Sequence, residues 1–89
     1  MRRANAYKVL STELESWSQL PQAELAARVG LPARSRSVEM AGESIVIEVF
    51  AQWVSPKREA IRVRAVANGP SSWHTQRIEE AVIVGVIYR

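Results

Sequence analysis

Glu43–Val54 reads ESIVIEVFAQWV. Ile45, Ile47, Val49, Ala51 and Trp53 share one parity. Ser44, Glu48 and Gln52 share the other, with Val46 and Phe50 among them. Period-two alternation in β-branched and aromatic residues marks a strand with one buried face. The chain before this stretch has helical periodicity, and the chain after it returns to period two. That order predicts an α+β fold, with two N-terminal helices packed on one face of a three- to four-stranded antiparallel sheet.

Immediately upstream, residues 36–41 read as a first short strand. Ala41–Gly42 is a tight turn, because glycine admits φ > 0. A two-residue loop pairs 40 with 43 and 38 with 45. Val38 and Met40 then share a face with Ile45, so turn and hydrophobic pattern agree. Downstream, a four-residue loop at Ser55–Arg58 would set the odd residues Ile61, Val63 and Ala65 against even residues of the preceding strand and split the apolar set. An odd loop or a bulge restores the match, and it is the version expected. It turns Arg62 and Arg64 to the outer face near Glu48 and Phe50. Asn68–Gln76, NGPSSWHTQ, is read as a turn-rich connector. The strands are therefore expected at about 36–41, 44–54, 59–67 and 77–88.

The helices are expected at about 4–17 and 21–29. Tyr7, Leu10, Leu14 and Trp17 fall three, four and three residues apart and form one stripe. Pro21 suits the first position of the second helix. Leu25 and Val29 lie on its inner face, and Gly30 with Pro32 ends it. Two turns of helix would not hold alone and must be held by packing.

The last strand lacks clean alternation. Val82, Val84, Val86 and Tyr88 lie on one side; Ala81, Ile83, Gly85 and Ile87 lie on the other. A strand apolar on both sides is normally covered on both. Two short helices cannot cover both faces of a four-stranded sheet. Either this strand is central or a second copy of the chain covers it. An uncovered apolar edge would invite aggregation. The expectation is a homodimer, with Val82, Val84, Val86 and Tyr88 as its contacts.

Eighty-nine residues make one domain, 1–89, that buries only about 60–65% of its unfolded surface. The absence of cysteine excludes disulfides and thiol chemistry and fits a reducing, cytoplasmic setting. No apolar run approaches the ~18 residues of a membrane span, and the N-terminus lacks the apolar core of a secretory signal. All nine acids are glutamate, and ten of the twelve basic residues are arginine. A net charge of +3 favours solubility without demanding a polyanionic partner.

Chemistry has few handles here. His74, the one histidine, sits in a loop with Ser71, Ser72, Trp73 and Thr75, and Glu79 and Glu80 follow. These are the parts of a hydrolytic triad, but adjacency is not triad geometry and no nucleophile elbow is present. A hydrolase using the His74 loop ranks third among the readings. No metal-ligand spacing and no phosphate loop occur, so no cofactor is expected. Arg62, Arg64 and Phe50 on the outer face, with Lys57 and Arg58 in the adjacent loop, form an arginine–aromatic surface of the kind that holds single-stranded RNA. Glu48 opposite Arg62 and Arg64 is the competing partner. Trp73, in a polar loop, either anchors a partner or folds back as a lid over the sheet end, and with His74 and Arg77 it is the first place to look for a ligand or partner site. In composition, length and the closing Ile87–Tyr88–Arg89 the chain resembles small bacterial ribosome-dependent RNase toxins. Their motif residues find no positions here, so no family is assigned. The leading expectation is a non-enzymatic interaction domain that self-associates. RNA binding by the arginine face is the alternative.

Overall fold

The structure is a computed structural model that describes residues 3–40, 42–70 and 75–86. Helices α1 (Arg3–Ser18) and α2 (Gln22–Arg28) precede strands β1 (Arg34–Met40), β2 (Glu43–Trp53), β3 (Ala60–Pro70) and β4 (Thr75–Gly85). The strands form one antiparallel sheet in the order β1-β2-β3-β4. Both helices pack on the same face, α1 across β3, β4 and β2, and α2 against β2. The α+β expectation holds.

The core lies between α1 and the sheet. Leu10, Leu25, Ile45, Ile47, Ile61 and Val63 are its largest fully buried side chains. On α1 the buried arc is Ala6, Val9, Leu10, Leu14 and Trp17, while Tyr7 is 40% exposed. At about 100° per residue, Tyr7 falls about 60° to one side of Leu10 and Val9 about 100° to the other. The sheet draws the helix onto its Val9 flank and leaves Tyr7 at the margin.

Two cross-element contacts fix the helices. Arg28 of α2 stands 4.6 Å over the Trp17 ring of α1 and donates to Glu24 at 3.2 Å. Arg36 of β1 reaches Glu13 of α1 at 2.9 Å. Pro21 precedes α2 rather than opening it. Its ψ of 142 is extended, and its carbonyl accepts the first helical bond from the Leu25 N–H at 3.0 Å. The helix ends at Arg28. Val29 bridges to Ala51, and the Gly30 N–H donates to the Ala51 carbonyl at 3.3 Å.

The hairpin registers follow parity. Met40 faces Glu43 and Val38 faces Ile45. Trp53 faces Ile61 and Ala51 faces Val63, the odd-loop register. Gly42 takes φ 79 in the first turn. In the second loop Arg58 takes φ 56, and its N–H donates to the Ser55 carbonyl at 3.1 Å.

The expected break at Asn68 does not occur. Asn68–Gly69–Pro70 extend β3, and Thr75–Gln76 begin β4. Pro70 is tolerated because the β2–β3 ladder has already stopped at Asn68, while β3 continues to pair with β4. The even residues of β3 point toward β2, as the bond from the Val54 N–H to the Ala60 carbonyl shows. The missing Pro70 N–H therefore removes no ladder bond.

One face of the sheet carries the helices and the other is open. The radius of gyration is 14.2 Å, against about 12 Å for a compact chain of this length. The extents of 50 × 20 × 18 Å describe a long two-layer body. No helix among the described residues is long and apolar enough to cross a membrane.

Candidate functional site

Register decides which side chains share the open face. Phe50 opposes Arg64, Gln52 opposes Arg62, and Glu48 opposes Val66. Across the next ladder, Val66 opposes Glu79, Arg64 opposes Ala81, and Arg62 opposes Ile83. Phe50, Arg62 and Arg64 thus share the outer face, and Arg77 joins them from β4. Lys57 and Arg58 are exposed in the β2–β3 loop. Arg34 and Arg36, opposite buried Val49 and Ile47, lie on the helix side instead.

The expected charge partner of the arginines is not Glu48. Arg64 Nε donates to Glu79 Oε1 at 2.6 Å, and its guanidinium stands 5.7 Å over the Phe50 ring. Glu79 also lies 4.0 Å from Arg77. Arg62 has no ion-pair partner among the described residues. Glu48 and Glu79 both stand opposite Val66, each diagonal to Arg64, and the bond forms with Glu79. Among the described strand residues the outer face carries Arg62, Arg64 and Arg77 against Glu39, Glu48 and Glu79, three charges of each sign. An electrostatic footprint for a phosphate backbone needs an excess of positive charge, and this face is balanced.

Strand β4 is at the edge, so the central-strand alternative for it falls away. Its even residues share the inner face with Ile61, Val63 and Ala65. Ile78 is buried there, and Val82, Val84 and Val86 are half-buried against the core. The second, outer side consists of Arg77, Glu79, Ala81, Ile83 and Gly85. Ile83 is 58% exposed, the most exposed large hydrophobic among the described residues. It was not among the expected contacts. The signal was present, since Arg77 and Glu79 share its parity and mark that side as outer. Trp73, His74 and Tyr88 lie outside the described residues, and Arg77 is exposed.

The two edges differ in kind. β1, RSRSVEM, carries Arg34, Arg36 and Glu39 and two serines. Charged side chains are the usual protection of a free edge. β4 has Arg77, Glu79 and Glu80 in its first half, but Ala81–Val86 is an uncharged run of β-branched and small residues. Elsewhere, Lys8, Val9, Thr12, Arg36 and Val38 line a groove of about 180 Å³ between α1 and β1. The chain matches no protein-family model, no curated protein and no solved structure.

Proposed function

We propose that this chain is a non-enzymatic interaction domain that associates with itself through the free edge of β4. The observation that carries the reading is the uncharged Ala81–Val86 run on an edge strand, with Ile83 exposed on one side and Val82, Val84 and Val86 half-buried on the other. Such an edge offers backbone donors and acceptors and apolar area together, which is the chemistry of strand addition. A cysteine-free chain fits a reducing compartment such as the cytoplasm.

RNA binding by the open face is the second reading, supported by the stacked Arg64–Phe50 pair and by Arg62 beside it. It ranks lower because Glu79 already engages Arg64 and the face is charge-balanced.

The deciding experiment is the mass in solution by light scattering, from micromolar to hundreds of micromolar. A dimer that Ile83→Lys converts to monomer, with far-UV circular dichroism unchanged, is the expected result. A monomer across the whole range overturns the proposal.

A further inference from the structure

The free positions on the β4 edge follow from the hydrogen-bond phase of the sheet. The Val86 N–H donates to the Glu59 carbonyl at 2.8 Å, and the Val54 N–H to the Ala60 carbonyl at 3.0 Å. In an antiparallel ladder the N–H and C=O of one residue point to the same side, and successive residues alternate. Odd residues of β3 therefore bond to even residues of β4, in agreement with the register of Ile61 on Val84 and Val63 on Val82. Ala81, Ile83 and Gly85 turn their backbone groups away from β3, toward the open edge.

The residues around Ile83 are symmetric in size. Val82 and Val84 flank it, and Ala81 and Gly85 lie beyond them. Reading outward in either direction gives β-branched, then small. A strand with this pattern is complementary to itself when reversed.

Resting on the self-association proposed above, we infer that the partner of this edge is the same edge of a second copy, antiparallel, with the two-fold axis at Ile83. In this register Ile83 meets Ile83 of the second copy. Ala81 meets Gly85 on the open face, where two small residues leave room for the isoleucine pair. Val82 meets Val84 on the helix side, joining the half-buried valines of both copies. The outward-pointing positions coincide as hydrogen-bonded pairs.

Registers centred nearer the charged half of β4 are worse for stated reasons. An axis at Glu79 or Glu80 opposes that glutamate to itself, and like charges directly opposite destabilise. An axis at Ala81 sets Glu79 against Ile83 and Glu80 against Val82. With the axis at Ile83, both glutamates leave the centre of the run. The two-fold stands perpendicular to the sheet, so the two four-stranded sheets join edge to edge. The helices of both copies then lie on one side and both open faces on the other.

The chain has no cysteine, so single cysteines report position directly. In the inferred register, residue 83 of each copy faces itself at about 5.5 Å between Cα atoms, within disulfide reach. Residue 79 lies about 26 Å from its counterpart at about 3.3 Å per residue. Ile83→Cys and Glu79→Cys are oxidised mildly at the same concentration and run on a non-reducing gel. At least a tenfold faster disulfide dimer for Ile83→Cys is expected. Equal rates, or a faster Glu79→Cys, overturn the register.

Ala81→Pro supplies a second test. Its missing N–H points outward and leaves the β3–β4 ladder intact, so monomer mass with retained circular dichroism is expected. A persistent dimer overturns edge pairing. A wild-type dimer without the Ile83→Cys cross-link refutes this arrangement but leaves self-association standing. A wild-type monomer removes both.

Discussion

Arg64 and Glu79 are bonded diagonally across the β3–β4 ladder, not directly. The direct partner of Arg64 is Ala81, and that of Glu79 is Val66, yet Arg64 Nε donates to Glu79 Oε1 at 2.6 Å. Val66 sits between them, opposite Glu79 and two residues along from Arg64. It is only 3% exposed although no helix covers its face. Among the described residues it is also the one buried hydrophobic that stands outside the main core cluster. Its cross-strand neighbours Glu48 and Glu79 and the nearby Arg64 are all long polar side chains, whose stems can cover apolar surface.

A double-mutant cycle between Arg64→Ala and Glu79→Ala measures the pair itself. Both side chains are about one-third exposed, so solvent screens the attraction. The expected coupling is about 0.2–1 kcal/mol, smaller in ~1 M salt. Urea unfolding at the two salt concentrations gives the value.

Two valines on the same face should respond differently to truncation. Val66→Ala is expected to cost about 1.5 kcal/mol, for two buried carbon groups at about 0.8 kcal/mol each. Val46→Ala, at a position 37% exposed, is expected to stay within about 0.5 kcal/mol. Equal costs in denaturant unfolding would mean that Val66 is not sheltered.

The orientation of α1 is tested by a second contrast. Leu10 is fully buried and Tyr7 is 40% exposed. Leu10→Ala is expected to remove about 2–5 kcal/mol, a large part of the roughly 4–13 kcal/mol available to a chain of this length. Tyr7→Ala is expected to cost under about 1 kcal/mol. Thermal unfolding followed by circular dichroism separates the two.

Gly42 holds φ 79, and a Cβ added there meets nothing within 4 Å. The cost of Gly42→Ala is therefore backbone strain alone, about 1–2 kcal/mol. Gly42→Asn is expected to recover part of it, because asparagine tolerates the left-handed region. Chemical denaturation of the two variants checks the order.

The charge balance of the open face predicts weak nucleic-acid binding. A fluorescent single-stranded RNA of about 20 nucleotides should show no salt-sensitive anisotropy change at micromolar protein. Salt-sensitive binding that Arg62→Glu with Arg64→Glu abolishes would bring the RNA reading forward.

Much of the fold was legible in local pattern. Side chains alternate along a strand, so a one-residue slip sends every buried residue to the wrong face. Val38 against Ile45 followed from that rule and from the glycine at 42, and the parity that sets Ile61 among the odd residues of β2 followed from the rule alone. The candidate site was legible only in part. Arg62, Arg64 and Phe50 could be placed on one face by parity. The partner of Arg64 could not, because Glu79 reaches that face through a hairpin whose register depends on the continuation of β3 through Pro70.

What the sequence determined by itself is therefore what period and turn chemistry encode: two helices, a run of antiparallel strands, and the parity of each strand. Tertiary structure decided what depends on neighbours distant in the chain. It placed β4 at an edge and set Val82, Val84 and Val86 against the core, leaving Ile83 in solvent. It turned Arg36 toward Glu13, and it let β3 run through a proline because the β2–β3 ladder had already stopped at Asn68. A residue's own pattern states which positions share a face. Only the packed molecule states which face is covered, because burial belongs to the neighbour that supplies it.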